Sequence, residues 1–270
     1  MPFHEEDVVI AEGDPLVMFA QAFVGQAAGY FAVVGLLYAI FWRWGRARFR
    51  KHRIPQKPRL DGAQLRREVT YTLGTLLVGA GNAALVSWLF ASGHTALTMD
   101  GEGWGPLRAV ATLAALLVVN EVWFYTWHRL LHHPRLFRFI HAVHHKSVDV
   151  NPFSSYAFHP LEGLLLGVWI IPCALFVPLY VPLLGVLQGL GLANNVLSHL
   201  GYELYPRALL RVPVLRWLNT STFHSLHHTR LRGNYGLMSR VLDRWLGTEL
   251  PDYEAQFLAR GEPVEPAAER

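Results

Sequence analysis

The chain has 270 residues, 52% of them hydrophobic and only 16% charged, and its mean hydropathy is +0.22. That balance excludes an ordinary soluble domain and points to an integral membrane protein. The formal net charge of +4 does not argue for nucleic acid, because the basic residues gather beside an apolar run, where anionic lipid headgroups are the simpler partner.

The acidic start, MPFHEEDVV, lacks the basic opening of a signal peptide, so no cleaved segment is expected. Leu16 to Trp42 is an uncharged apolar run long enough to cross a hydrocarbon core of about 30 Å. Ten Lys or Arg residues lie between Arg43 and Arg67. A second span is predicted over Val69 to Ala91 and a third over Leu107 to Trp127, the latter carrying Glu121 near its end. The loop between them, Ser92 to Gly105, has no Lys or Arg and contains Asp100 and Glu102. By the positive-inside rule the basic loop is cytoplasmic and the acidic one is outside. Leu161 to Leu200 is about twice one span and contains Pro172, Pro178 and Pro182, so it reads as a helical hairpin turning around Val177 to Pro182. Following the spans, residues 128–159 and 201–270 fall on the cytoplasmic side. The lone Cys173 sits in an apolar span and excludes an intrachain disulfide or a thiolate-ligated cluster. The tail from Gly261 to Arg270 reads as a frayed end.

Eleven of the fourteen histidines lie between His128 and His228. Three clusters share an H-x-x-H-H or closely related pattern: HRLLHH (His128, His132, His133), HAVHH (His141, His144, His145) and HSLHH (His224, His227, His228). His159 and His199 complete the set, while His4, His52 and His94 stand alone. A solvated basic face would use Lys and Arg, and a metal-buffering tract would be contiguous. Imidazole binds iron, zinc, copper or nickel through one ring nitrogen. A tetrahedral site takes about four ligands, so this many histidines suggests two ions in a shared cage. On a helix, His128 and His132 share a face, and His141 pairs with His144 or His145 at i+3 or i+4, so one helix can present two or three imidazoles to the same centre; the spacing leaves open whether His132 or His133 faces the ion.

The segments EVWFYTWHRLLHH, FRFIHAVHHKS, HPLEG and FHSLHHTRLRGNYG with DRWLGT resemble the fatty acid hydroxylase/sterol desaturase superfamily, over roughly residues 120 to 250. The last box is also similar to that of plant wax alkane-forming proteins of the same superfamily. These are membrane di-iron oxygenases, and the resemblance implies that two irons are bound by His128, His132 or His133, His141, His144, His145, His224, His227 and His228. A further ligand pair one helical turn apart is often found in the penultimate span. Here that place reads NNVLSH, so His199 matches and Asn195 stands where another His is found in relatives; an amide can coordinate through its oxygen or hold a water. His159, in the HPLE motif, reads either as a ligand or partner of one, or as the N-terminus of a helix with Pro160 first. Glu162 could orient a ligating imidazole through its second nitrogen. Glu121, beside Asn120 at the end of an apolar helix, is a candidate for the same task; Asp243 and Asp149 could do likewise, though both read better as solvated loop carboxylates. Trp123, Phe124, Tyr125 and Trp127 read first as an interfacial belt, a role compatible with the sharper one of lining a lipid tunnel.

The expected protein is thus an all-α integral membrane bundle of four to five spans, with a cytoplasmic helical cap holding a histidine-rich dimetal site. Residues 1–119 form the first spans and basic loop, 120–250 the catalytic region and 251–270 the tail. The implied reaction is O2-dependent hydroxylation or desaturation of a lipid C–H bond. No G-x-G-x-x-G motif follows a strand, so electrons should come from a separate cytoplasmic reductase, ferredoxin or cytochrome, for which the Arg-rich surfaces offer docking sites. A metal transporter would place histidines within spans on both sides of a pathway, and a non-catalytic lipid binder would not keep three boxes intact. Aldehyde-level chemistry within the superfamily stays open.

Overall fold

A computed structural model of the protein describes residues 14–54, 56 and 60–259. The acidic start and the tail read as frayed lie outside the described residues, as does His4.

Local chemistry sets the helix starts. Asp14 accepts from Leu16 N at 2.7 Å and Pro15 fills the first position, opening α1 (Pro15–Tyr38), which runs on through a π-helical turn (Ala39–Trp44). Asp61 accepts from Gln64 N at 2.7 Å and opens α2 (Gly62–Ala91). This cap starts the second span well before Val69 and carries Arg66, Arg67 and Glu68 onto the helix. Pro106 opens α3 (Pro106–Leu131), which does not stop at Trp127, so His128 rides on its last turn. Among the described residues, four helices are long and apolar enough to cross a membrane: Pro15–Trp44, Gly62–Ala91, Pro106–Leu131 and Val181–Ser198. Their outer faces stay apolar and unpacked, with Leu107 85%, Leu16 76% and Val110 65% exposed, which suits hydrocarbon and not water.

The predicted hairpin has a broken first limb. Two short helices, α6 (Pro160–Gly167) and α7 (Ile170–Phe176), precede an extended turn at Val177 and the longer α8 (Val181–Ser198). Two-residue strands β1 (Leu97–Thr98) and β2 (Leu179–Tyr180) pair in parallel and tie the acidic loop to the hairpin turn. Apolar periodicity does not reveal so short a ladder.

One stripe of α2, Gln64, Glu68, Thr72, Leu76, Ala80 and Ala84, is buried at every fourth residue. Its small apolar half lets α1 approach, and Tyr30, Val34, Leu76 and Val196 form a core there. Its polar half holds the loop after the second box: Glu68 accepts from Gln64 Nε2 and Asn151 Nδ2, both at 2.8 Å. At the far end, Leu209, Phe223, Tyr253 and Phe257 form a separate core beneath α9 (Ser221–Arg230), α10 (Val241–Trp245) and α11 (Tyr253–Ala259). Arg240, 1% exposed, is held there by Glu249 and Glu254 at 2.7 Å each.

Candidate metal centre

Each histidine box is delivered by a different helical device. His128 lies on the last turn of α3 and His132 caps its C-terminus. Pro134 then opens the one-turn α4 (Pro134–Leu136), and a π-helical turn (Phe137–His141) feeds α5 (Ala142–His145). The wide turn adjusts the register before His144 and His145, as such turns often do at functional sites. Thr220 accepts from Phe223 N at 3.2 Å and starts α9, which carries His224, His227 and His228.

The side chains converge in two groups that could each hold a metal ion: His128, His132, His141, His145 and His227, and His144, His199, His224 and His228. Within each group the ring nitrogens lie within 4.8 Å of one another. The boxes exchange members. His141 and His145, one turn apart, enter the first group, while His144 between them crosses to the second. His224 and His228 enter the second, while His227 crosses to the first. The repeated H-x-x-H-H spacing is what lets one helix serve two centres.

Ring orientation is fixed from outside. Nδ1 of His128 donates to Tyr235 O at 2.8 Å, His132 to Leu231 O at 3.0 Å, His227 to Gly233 O at 2.7 Å, His141 to Glu162 Oε1 at 2.7 Å and His199 to Asn195 O at 2.9 Å. A carbonyl or carboxylate oxygen only accepts here, so each of these rings carries its proton on Nδ1 and presents a bare lone pair at Nε2. Yet Nε2 of His132 lies 3.0 Å from that of His141 and 3.3 Å from that of His227. Lone pairs so close repel unless a cation sits among them, and His128 Nε2 is buried with no hydrogen-bond partner. Burial, followed by the neighbouring imidazoles, holds His141, His144, His145, His224, His227 and His228 well below the usual histidine range, and burial takes His132 to about 4. The rings are therefore neutral, the form a metal needs. The donor set fits a nitrogen-loving transition metal.

Three sequence candidates stand apart from both groups. His133 is exposed, and its ring caps the next turn by accepting from Arg135 N at 3.4 Å. His159 caps α6, accepting from Leu161 N at 3.2 Å, with Pro160 first in the helix. Asn195 gives its amide to Ser155 O at 2.9 Å and its backbone oxygen to His199, so it works through that ring. Of the carboxylates, Glu162 alone meets a box histidine. Glu121 takes Met238 N at 2.8 Å and Ser239 N at 3.3 Å, and Asp243 takes Tyr235 N at 2.8 Å and Gly236 N at 2.7 Å. Both brace the loop after the third box because its backbone N–H groups, and not an imidazole, fall within their reach. Asp149 pairs with Arg53 and takes Leu60 N.

A narrow cavity touches both groups, with His128 and His141 on one side and His144, His199 and His224 on the other. Phe124, Phe158 and Leu237 give it apolar walls, and Asn195 and Asn219 add amides. Residue reasoning missed Asn219, whose Nδ2 holds Gly236 O at 3.0 Å and Leu237 O at 2.8 Å, and missed the carbonyls of the 231–235 loop. Backbone oxygens leave no signature; only Gly233 and Asn234, types tolerant of left-handed backbone, hint at a special path.

A bundle of helices long and apolar enough to cross a membrane, carrying two histidine groups that could each hold a metal ion, is the arrangement of a histidine-box protein. The model of the fatty acid hydroxylase family matches residues 113–248, just over half of the chain, and the chain belongs to that family. It is similar to methylsterol monooxygenase 1 of Gallus gallus, at 35% identity over 142 residues, covering 53% of this chain and 45% of the relative. It is also similar to very-long-chain aldehyde decarbonylase GL1-6 of Oryza sativa subsp. japonica, at 32% identity over 233 residues, covering 79% and 34%. A third relative, delta(7)-sterol 5(6)-desaturase ERG3B of Gibberella zeae, is 30% identical over 162 residues, covering 58% and 47%. The chain thus spans less than half the length of each of these relatives. No solved structure matches the chain.

Proposed function

We propose that the protein is a membrane-bound di-iron oxidoreductase that uses O2 to hydroxylate or desaturate a C–H bond of a lipid, sterol-like or fatty acyl. The observation that carries this reading is the division of nine neutral imidazoles, eight buried and His132 half-buried, into groups of five and four beside one apolar-walled cavity. Membership of the fatty acid hydroxylase family and the lipid-directed names of the relatives support it.

In this reading His128, His132, His141, His145 and His227 hold one iron, and His144, His199, His224 and His228 hold the other. Bound iron would supply the oxygen-activating redox chemistry. The chain's own part is orientation. Glu162, Asn195 O and the 231–235 carbonyls keep protons on Nδ1 so that Nε2 stays free to ligate. Phe124, Phe158 and Leu237 exclude water and guide an apolar chain to the cage.

The histidine end is taken as cytoplasmic, on the strength of the basic loop. Exposed Arg43, Arg46, Arg48 and Arg50 on that side suit an acidic redox partner that would deliver electrons. Aldehyde-level chemistry is a second reading, favoured by the long alignment with the rice aldehyde decarbonylase. Expression in a lipid-defined host with mass spectrometry of the products, under 18O2 and under N2, separates these. Lipid carrying one 18O as hydroxyl, or a new double bond formed only with O2, supports the main reading. A shortened hydrocarbon supports the second, and unaltered lipid from iron-loaded protein with a reductant present would reject both.

A further inference from the structure

The segment leaving α9 has an unusual backbone. Leu231, Gly233 and Asn234 all have positive φ, at 56°, 68° and 55°. Leu231 in the left-handed region is disfavoured, and its side chain is 46% exposed, so no burial of that side chain compensates. The result is that carbonyls of alternate residues, 231, 233 and 235, point the same way. They receive the Nδ1–H groups of His132, His227 and His128, in that order. Those histidines come from two boxes nearly a hundred residues apart in sequence, yet all three belong to the five-histidine group.

The loop is clamped from behind. Asn234 N donates to Thr248 O at 2.9 Å, Asn234 Nδ2 to Phe223 O at 2.9 Å, and Asn234 Oδ1 accepts from Leu250 N at 2.8 Å. Asp243 holds the N–H of Tyr235 and Gly236. A Cβ at Gly233 would lie 2.5 Å from Thr248 O, so this residue has neither the φ nor the room for a side chain. In the four-histidine group, among the described residues, only His199 has an Nδ1 contact with an oxygen, and that oxygen belongs to its own helix.

We propose that the 231–235 loop is the positioning element of the five-histidine metal position alone: its three carbonyls aim His128, His132 and His227, and its rigidity decides whether that position keeps its ion. The inference rests on the dimetal reading above. Leu231, Gly233 and Tyr235 act through backbone oxygens, so the chemistry of the Leu231 side chain is immaterial and the path of the backbone is everything.

The test uses the full chain in detergent, loaded with Co2+, with cobalt counted and its release to a chelator followed by the visible spectrum. Wild-type protein should hold two cobalt ions. Gly233→Ala should release one of them at least about tenfold faster, the scale on which partners of ligating histidines act, and leave the other unchanged. Position is assigned by double mutants. Adding Gly233→Ala to His224→Ala should empty the protein, whereas adding it to His141→Ala should leave the remaining cobalt unaffected. Leu231→Gly, which keeps the carbonyl and relieves the backbone, should retain both ions at the wild-type rate. Should Gly233→Ala not accumulate, Asp243→Asn frees the Tyr235 end of the loop and should show the same one-sided loss. Equal release from both positions, wild-type retention in both Gly233→Ala and Asp243→Asn, or loss in Leu231→Gly overturns the proposal. Wild-type protein that takes up no cobalt overturns it together with the dimetal reading, which separates the two failures.

Discussion

His227 and His132 approach to 3.3 Å between their Nε2 atoms, although one belongs to the chain's third histidine box and the other to its first. His144 makes the reciprocal crossing, with its Nε2 3.4 Å from that of His199. The segments that carry the second and third boxes therefore feed both groups, and the two are mechanically coupled. A consequence follows for single substitutions. His144→Ala should release the ion of the four-histidine group first, and His227→Ala that of the other, even though each lies within a box that mostly serves the opposite group. Metal counts near one per chain in both variants, with product formation lost, are the expected result; equal loss of both ions in each variant would speak against the division.

Glu162 lies at the base of the second box, with Oε1 2.7 Å from His141 Nδ1 and both side chains 1% exposed. Glu162→Gln replaces a carboxyl acceptor by an amide that can turn a donor toward the ring. Metal affinity at that position should fall by about 10- to 100-fold, read by chelator competition. Glu162→Asp, too short to reach, should do the same, while both variants keep wild-type helix content.

Asn151 ties the loop after the second box to α2. It caps the turn Pro152–Tyr156 by accepting from Phe153 N at 3.0 Å, exchanges bonds with Ser154, and donates to Glu68 at 2.8 Å. Asn151→Ala removes the cap and leaves a buried carboxylate short of a donor. A loss of about 1–3 kcal/mol is expected, seen as a lower melting temperature in detergent. An unchanged melting temperature would mean that the loop holds without it.

Acid should destabilise the metal-free protein. Burial and mutual repulsion keep His141, His224 and His228 well below their ordinary value, and burial takes His132 to about 4. Above about pH 8 the folded and unfolded chains carry the same neutral rings, and no stability is gained or lost there. As pH falls below that value the unfolded chain takes up protons first, so unfolding is favoured progressively until the folded rings titrate as well. Melting temperatures of metal-free protein should fall between pH 7 and pH 5. Metal loading at pH 7 should raise them, because the ion binds the folded form.

A cysteine placed at Gly101, in a Cys173→Ala background, should label from the side opposite the histidine boxes. Gly101 lies beside Tyr180 at the hairpin turn, so the acidic loop and that turn share one end of the bundle. Labelling only from the cytoplasmic side would reverse the orientation argued from the basic loop.

Much of this was legible before the structure. Uncharged runs announced the spans, and prolines 178 and 182 announced the hairpin turn. The boxes stood out as boxes because imidazoles at i and i+4 have few other uses in an apolar chain. Their exchange was not legible, because period alone cannot say that His144 and His227 look away from their neighbours. Nor was the difference between His132 and His133: they are adjacent at a helix end, and the carbonyl of Leu231, far along the chain, orients the first while Arg135 N takes the second. Glu121 is recognisable in sequence as an ionisable group on an apolar helix, whereas Asp243 reads as a solvated loop carboxylate and is in fact buried; what both hold is backbone, which carries no residue type. Asn195 fits the resemblance through its place one turn before His199, and its backbone oxygen, shared by every residue type, is the atom that meets the ring.

The dinuclear cage is tested most directly by iron-edge anomalous scattering from crystals of the iron-loaded protein. Two iron peaks are expected, one within about 2.1 Å of ring nitrogens of His128, His132, His141, His145 and His227, the other likewise among His144, His199, His224 and His228. A single peak, or an iron bound to His133 or His159 in place of these, would contradict the assignment.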